Sequence, residues 1–560
     1  MNSKATKWAC LLSLAASPVY CGAAEANPKP KPNILVILAD DMGYSDIGSF
    51  GGEIETPNLD ALAKDGLRFT QFYNTSRCSP TRASLLTGLY PHQTGVGHLD
   101  FDLGYGIPAY QGYLNDRCVT LAEILRPAGY RTSVVGKWHI GAAAGRRPLD
   151  RGFDRFWGLP TGGGAYFKET ATKIRSLRFL DDAKLIEPTD LPDEFYVTDA
   201  FTDKTLEFID EAVSKKQPFF LYLAQIAPHW PLQAKPEDIL KYKGRYDIGW
   251  DAVRAARHQR QVEMGILPKD SRISERDPKA PAWAETPAEV QQNLAHRMEI
   301  YAAMIDCLDR NVGRIVSRLK ELGQFDNTLI LFLSDNGNTE VGGPGGQNLD
   351  NWAKPGAPLG TALSYGRLGQ EWANASNTPF RNYKVDAYEG GIATPLIVHW
   401  PDGIASRGEL RHQIGHVIDL MPTLAEVAGA TYPDQFHGQS ILPVEGRSLV
   451  PAFDNNPLPR EEGLFFEHAG RKGVRSGDWK AVQPDGKKAW ELYDMQSDRT
   501  ERVDLAAAHP ERVRELAEQW QTWADRCGVW DWVELNRHIQ KEKEVREEQQ
   551  RQRQQEKQNK

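Results

Sequence analysis

Four short apolar runs, each followed by charged or polar residues, constrain the fold more than any other feature of the sequence. The clearest covers residues 34–39, and similar runs lie within residues 131–136, 218–228 and 329–333. A continuous apolar run of this length is typical of a strand buried on both faces of a parallel sheet. The residues that follow these runs are Asp40, Asp41, Lys137, His139, His229, Asp335 and Asn336.

Segments that read as helices lie between the apolar runs. They cover residues 59–66, 119–129 and 203–213, and the last has Leu206, Ile209 and Val213 at helical spacing. Alternating strands and helices predict an α/β fold with a parallel sheet. Ligands of such sheets bind beyond the carboxyl ends of the strands. The polar residues that follow the four runs are therefore predicted to meet at one edge of the sheet.

The chemistry of this edge points to an ester of an inorganic acid. Three carboxylates and one amide oxygen form a hard oxygen set that suits Ca²⁺ or Mg²⁺. Lysine, histidine and arginine side chains suit a tetrahedral oxyanion. A cation next to an anion site indicates cleavage of a phosphate or sulfate ester. Taken alone, Asp40 and Asp41 are equally compatible with a helix cap, so the argument depends on the four runs together.

Cys78 lies in a polar context that is unusual for a buried cysteine. It belongs to the stretch SRCSPTRASLLTG, in which Pro80 suits the first residue of a helix that continues to Gly88. The exposed amides of a helix N-terminus attract anions. Cys78 and Arg82 are therefore predicted to lie where a substrate anion would dock.

Residues 78–88, CSPTRASLLTG, resemble the signature of the type I (formylglycine-dependent) sulfatases, which is C-x-P-x-R followed by a short helix. Further similar motifs occur in the family's order between about residue 32 and about residue 506, and their texture is most similar to the bacterial arylsulfatase-like branch. They are ILADDMGYSDIGSFGG, GYRTSVVGKWHIG, APHWP, LSDNG and YKVDAYEGGIATPLIVHWP. The implied fold is alkaline-phosphatase/sulfatase-like: a large, mixed, mostly parallel sheet flanked by helices, with a smaller C-terminal antiparallel subdomain.

The resemblance also implies the chemistry. A maturation enzyme would oxidise Cys78 to formylglycine, whose hydrate attacks sulfur to give a sulfated enzyme intermediate and then inorganic sulfate. One Ca²⁺ would be held by Asp40, Asp41, Asp335, Asn336 and residue 78. Arg82 would steady the hydrate, and Lys137 and Lys384 would bind sulfate. His139 would take a proton from the second hydroxyl. His229 would bind sulfate and protonate the leaving oxygen.

The ends of the chain differ in composition from its centre. Residues 1–26 read as a signal peptide, with Lys4 and Lys7 before a short apolar run, which predicts export to the periplasm or the medium and no membrane span. Residues 27–445 are predicted to form the catalytic domain, 446–536 the C-terminal subdomain, and 537–560 a charged tail that is helical or disordered. The net charge of −8 argues against nucleic acid as a partner.

Two other functions are compatible with the same residues. One is hydrolysis of phosphate or phosphonate esters on the same fold, and the other is non-catalytic binding of sulfated glycans. The expected substrate is a sulfate ester, and its alcohol is left open between an aryl group and a carbohydrate. The four cysteines beyond the signal region are scattered without a C-x-x-C motif, so a zinc site is not expected and a disulfide is left open.

Overall fold

The computed structural model describes Met1 and residues 30–100, 106–173, 178–349, 351–484 and 489–558. The predicted signal peptide lies outside these residues, apart from Met1. Residues 32–560 form one compact unit. Within the described residues, no helix has both the length and the apolar composition needed to cross a membrane.

A large mixed sheet organises this unit. Where the chain is described, the sheet has eleven strands in the order β12-β2-β11-β8-β1-β7-β3-β4-β5-β6, and β13 also pairs with β2. The strands of the chain are β1 (Asn33–Asp40), β2 (Leu67–Tyr73), β3 (Arg131–Lys137), β4 (Arg155–Leu159), β5 (Phe179–Asp181), β6 (Lys184–Ile186), β7 (Phe219–Pro228), β8 (Thr328–Ser334), β9 (Gln347–Asn348), β10 (Gly366–Arg367), β11 (Ala393–His399), β12 (Glu409–Arg411), β13 (Gly415–His416), β14 (Gln435–Phe436), β15 (Gln439–Ser440), β16 (Leu464–His468), β17 (Arg471–Ser476), β18 (Trp479–Gln483) and β19 (Glu491–Asp494).

The four predicted strands form the parallel centre of the sheet. β8, β1, β7 and β3 are neighbours, each parallel to the next, and every residue of β1, β7 and β8 is buried. Burial on both faces explains the unbroken apolar runs, because neither side of these strands meets water. β11 is antiparallel to both β8 and β2, which makes the sheet mixed. The predicted fold class is confirmed.

Helices cover both faces of the sheet. They are α1 (Pro57–Lys64), α2 (Cys78–Thr87), α3 (Pro91–Thr94), α4 (Leu121–Leu125), α5 (Lys168–Lys173), α6 (Val197–Ser214), α7 (Pro236–Lys241), α8 (Trp250–Glu263), α9 (Ala288–Glu321), α10 (Gln370–Ser376), α11 (Glu389–Ile392), α12 (Leu420–Ala428), α13 (Val450–Phe453), α14 (Pro510–Cys527) and α15 (Trp532–Gln558). One hydrophobic cluster includes Leu35, Leu223 and Met304, and a second, on the opposite face, includes Val36, Tyr222 and Leu331. Alternate residues of β1 therefore belong to different cores, as the period of a strand requires.

A second, four-stranded antiparallel sheet, β16-β17-β18-β19, follows in the chain. α14 packs on it, and Trp520 donates a hydrogen bond from Nε1 to the Phe466 carbonyl at 3.0 Å. These elements share a hydrophobic cluster with the large sheet. α15 includes residues 537–558 of the predicted charged tail. The predicted division into domains, with its boundary at residues 445–446, stays a prediction.

The cysteines of the described residues, Cys78, Cys118, Cys307 and Cys527, are all buried and free of disulfide bonds. The disulfide that the sequence left open is therefore not formed among them.

Candidate active site

The carboxyl ends of the four central strands meet at one edge of the large sheet. Asp40 is the last residue of β1, Lys137 is the last of β3, His229 directly follows β7, and Asp335 directly follows β8. β3 approaches β7 closely at Gly136, where a Cβ atom would lie 1.9 Å from the carbonyl oxygen of Ala224. Only glycine fits there, and it places Lys137 at the edge.

Buried lysine and arginine side chains pair with the carboxylates of this edge. Lys137 Nζ lies 2.6 Å from Asp40 Oδ2. Arg82 Nη2 lies 2.7 Å from Asp335 Oδ2 and 3.3 Å from Asp40 Oδ2. Lys384 also forms an ion pair, with Asp41. The three carboxylates therefore face three cations, as buried charges require.

Cys78 lies at the first turn of α2, with Arg77 as the residue that caps this helix. The helix begins two residues before Pro80 and ends at Gly88, whose φ of 71° is the left-handed conformation that favours glycine. Burial raises the pKa of the Cys78 thiol, but the charges of Lys137, Lys384 and His139 outweigh burial and hold this pKa well below its ordinary value. Position 78 thus favours a negatively charged group.

His139 contacts a carboxylate that the sequence reasoning missed. Its Nε2 lies 3.2 Å from Asp100 Oδ1, and its Nδ1 is buried and has no hydrogen-bond partner among the described residues. Burial lowers the pKa of His139, but the charges of Cys78 and Asp100 raise it above the ordinary value overall. A Cβ atom on Gly162 would lie 2.2 Å from Nε2, so the ring packs directly against this glycine. Nothing in the sequence around Asp100 marks it as part of the site.

His229 has a fixed orientation. Its Nδ1 lies 2.6 Å from the carbonyl oxygen of Trp230, and because a carbonyl only accepts, Nδ1 carries a proton. Nε2, which lies 3.6 Å from Asp41 Oδ2, is therefore the atom at which the ring gains or loses a proton. Burial lowers the pKa of His229, and the charges of Asp41 and Asp40 oppose this only in part. The indole of Trp230 stacks on the imidazole, with centroids 4.9 Å apart.

The oxygen atoms of this edge fit a divalent cation. Asp40 Oδ1, Asp41 Oδ2 and Asn336 Oδ1 are buried acceptors without a hydrogen-bond partner among the described residues. Burial and the charge of Asp40 raise the pKa of Asp335 to about 7, which indicates more negative charge than Arg82 alone neutralises. Asp41 adopts a positive φ of 62°, a costly conformation for a residue with a Cβ atom.

The contacts differ in detail from the predicted set of metal ligands. Ligand atoms of Asp40, Asp41 and His229 lie within 4.8 Å of one another, so His229 is a further candidate ligand. Asp335 is engaged by Arg82 and by the amide of Asp41, which lies 3.3 Å from its Oδ1. Asn336 donates from Nδ2 to Asp41 Oδ1 at 2.7 Å. Eight of the ten residues predicted from the sequence are nevertheless joined by ion pairs or hydrogen bonds, and the charge of Lys137 acts on the other two, Cys78 and His139.

Comparison with known proteins agrees with this geometry. The sulfatase family model matches residues 32–430, and a model described as "N-sulphoglucosamine sulphohydrolase, C-terminal" matches residues 383–522. The chain belongs to the sulfatase family, and it is an enzyme of sulfate ester hydrolysis.

Relatives of known sequence or structure extend over most of the chain. An arylsulfatase of Klebsiella aerogenes is 37% identical over 80% of this chain and 96% of its own. An N-acetylgalactosamine-6-sulfatase of Canis lupus familiaris is 30% identical over 87% of this chain and 78% of its own. The crystal structure of Ps i-CgsB in complex with k-i-k-neocarrahexaose is 28% identical, with a TM-score of 0.65 over 90% of this chain and 93% of that one.

Proposed function

We propose that the enzyme cleaves sulfate monoesters with a formylglycine hydrate at position 78 as its nucleophile. The observation that carries this proposal is the position of Cys78, buried at the start of α2 beside two lysines and His139. A thiol that attacked sulfur would leave a thiosulfate on the enzyme with no easy exit. An aldehyde hydrate would supply one hydroxyl for attack and a second hydroxyl for release of sulfate.

Lys137 and Lys384 bind the sulfate group in this proposal. Both are buried at the edge of the sheet, and the charges of both act on position 78. Their ammonium groups have three donors each, so each can hold its aspartate and a sulfate oxygen together. Arg82, which donates to the Lys137 carbonyl at 2.9 Å as well as to Asp335, keeps the edge rigid and neutralises charge below position 78.

The two histidines divide the proton transfers. His229 presents Nε2, and the negative charge of a bound sulfate ester would raise its lowered pKa and favour the protonated form that donates to the leaving oxygen. His139 keeps Nε2 toward Asp100, which leaves the buried Nδ1 as its acceptor for the proton of the second hydroxyl. The charge of the Cys78 thiolate, which raises the pKa of His139, is absent once residue 78 is an aldehyde, and this favours the neutral ring that accepts a proton.

One Ca²⁺ would be held by Asp40, Asp41, Asp335, Asn336 and residue 78. Oxygen ligands of this kind are those that Ca²⁺ prefers, and three of their atoms are buried acceptors without a partner among the described residues. When bound, the ion would neutralise sulfate charge and polarise the sulfur–oxygen bond.

The substrate class is an aryl or carbohydrate sulfate. A row of ring contacts leads outward from His229 through Trp230 and Tyr365 to Trp352, whose side chain is 45% exposed. Such rings suit an aryl group or a sugar, and Ps i-CgsB binds an oligosaccharide. We also propose that residues 1–26 direct export to the periplasm or the medium, where the enzyme acts after a maturation enzyme has oxidised Cys78.

Turnover of 4-nitrophenyl sulfate and 4-nitrophenyl phosphate by the same preparation tests the proposal. We expect the sulfate to be the better substrate, peptide mass spectrometry to find a hydrazine-reactive aldehyde at position 78, and Cys78→Ala to bind sulfate esters without turnover. Cys118→Ala, at another buried free cysteine, is the matched control and should keep its activity. A dominant phosphatase rate would favour the phosphoester alternative, whereas binding without turnover by the matured enzyme would favour the sulfated-glycan binding protein.

A further inference from the structure

Arg77 is a cation at the candidate active site, and no carboxylate of the described residues forms an ion pair with it. Lys137, Arg82, Lys384 and His139 each have a carboxylate oxygen within 4 Å. Arg77 forms no ion pair or hydrogen bond through its side chain in the described parts of the chain, and its Nε is a buried donor without a partner. A buried donor of this kind is costly unless a water molecule or a ligand satisfies it.

The position of Arg77 places its charge beside the reacting group. It directly precedes Cys78 with extended backbone angles, φ −147° and ψ 144°, and consecutive Cα atoms are about 3.8 Å apart. The side chain is half-buried, so part of it remains accessible. Its charge acts on Lys384, His98, His468 and Glu340, so all four lie within range of its field.

The neighbours of Arg77 do not neutralise it. Burial lowers the pKa of His98 to about 4. Burial and the charges of His98 and Arg77 hold the pKa of His468 well below its ordinary value. Both rings are therefore neutral. These rings stack on each other with centroids 4.9 Å apart, and His98 also stacks on Trp532 at 5.5 Å. Glu340 forms no ion pair with Arg77 within 4 Å in the described residues, and burial raises the pKa of Glu340.

We propose that Arg77 binds a second sulfate group of the substrate, carried by the alcohol close to the sulfate that is cleaved. The planar guanidinium presents a fork of donors that matches such a group in a bidentate arrangement. The neutral stacked rings leave its charge for the ligand. This inference rests on the proposed function, and it narrows the substrate class from sulfate esters in general to esters with two negative charges.

A matched pair of substrates tests this assignment. We would compare a hexose monosulfate with the vicinal disulfate of the same sugar, and measure kcat/KM for removal of the sulfate that they share. For the wild type we expect the disulfate to be preferred. Arg77→Gln should reduce this preference about tenfold, since a charge-assisted hydrogen bond is lost, and Arg77→Lys should retain part of it. Arg314→Gln, which removes an equal charge from an arginine paired with Asp203, should leave the preference intact.

Binding in the Cys78→Ala background separates recognition from chemistry. The Arg77→Gln substitution there should weaken binding of the disulfate about tenfold and binding of the monosulfate much less. Equal losses for both sugars, or a wild type without preference for the disulfate, would overturn the assignment. Failure of the wild type to hydrolyse 4-nitrophenyl sulfate would instead count against the proposed function, so the two failures are distinguishable.

Discussion

Replacement of Lys480 by methionine should destabilise the protein strongly, because this lysine neutralises two buried glutamates at once. Lys480 Nζ lies 2.9 Å from Glu389 Oε1 and 2.7 Å from Glu501 Oε1, and none of the three side chains is exposed. Lys480 belongs to β18 of the small sheet, whereas Glu389 begins α11 beside the large one. The contact therefore joins the C-terminal strands to the segment that follows Lys384.

The magnitude follows from what remains after the substitution. Glu389 keeps Arg499 at 3.2 Å and the Tyr73 hydroxyl at 3.0 Å, so it stays ionised. Glu501 keeps only the amide of Glu389, at 2.9 Å, among the hydrogen-bond partners of the described residues. Removal of one partner from a buried ion pair costs about 3–5 kcal/mol. We expect Lys480→Met to lower the free energy of unfolding by that amount at pH 8.

The pH dependence of this loss provides a sharper test. Burial, opposed by Lys480 and assisted by Glu389, raises the pKa of Glu501 to about 7. An acid with a raised pKa in the folded state contributes stability at low pH, and this contribution is lost as the pH rises from about 4.5 to about 7. Without Lys480 this pKa rises further. The loss of stability should therefore be larger at pH 8 than at pH 5.5, where Glu501 is protonated and uncharged.

Urea unfolding followed by tryptophan fluorescence measures both quantities. Lys204→Met is the control, because Lys204 is more exposed and pairs with Glu207 on the surface of α6, where an ion pair contributes less than about 1 kcal/mol. The double variant Lys480→Met/Glu501→Gln should regain part of the lost stability. A loss below about 1 kcal/mol, or an equal loss at both pH values, would refute the argument that buried charge is the cause.

Three further predictions concern the candidate active site. Chelation of divalent ions should abolish turnover, and Asp41→Ala should do the same; full activity of a metal-free sample would contradict the proposed Ca²⁺ site. His229→Ala should reduce turnover of alkyl sulfates more than that of 4-nitrophenyl sulfate, whose leaving group needs little protonation; equal losses would leave His229 with sulfate binding alone. Asp100→Asn should lower kcat and move the acidic limb of the pH profile of kcat to lower pH, because loss of this carboxylate lowers the pKa of His139. A reduced kcat with an unmoved acidic limb would limit Asp100 to a structural role.

The central strands and their polar ends could be predicted from the sequence because each signal is local. An apolar run and the residue after it are neighbours in the chain, and parallel strands bring such ends together. The order β8-β1-β7-β3 and the antiparallel β11 could not be predicted in this way, because they depend on which connections cross the sheet. α2 begins two residues earlier than Pro80 suggested, since proline is tolerated anywhere in the first turn.

The partners of the site residues had no local signal. Asp100 reaches His139 across 39 positions of the chain, and Glu501 reaches Glu389 across 112. No periodicity or composition marks such a pair, since a carboxylate on a turn reads as a solvated charge until the fold buries it.

The charge balance of the site connects these observations. The site has three carboxylates and three cations that pair with them, so this group is neutral as it stands. The carboxylates are those of Asp40, Asp41 and Asp335, and the cations are Lys137, Lys384 and Arg82. The proposed divalent cation adds two positive charges, and a sulfate monoester supplies only one negative charge. A surplus of one positive charge remains, and Arg77 adds a second because no carboxylate of the described residues pairs with it. Two positive charges at a largely buried site favour a substrate with a further anion, which is the reason to expect that the enzyme selects doubly charged esters over singly charged ones.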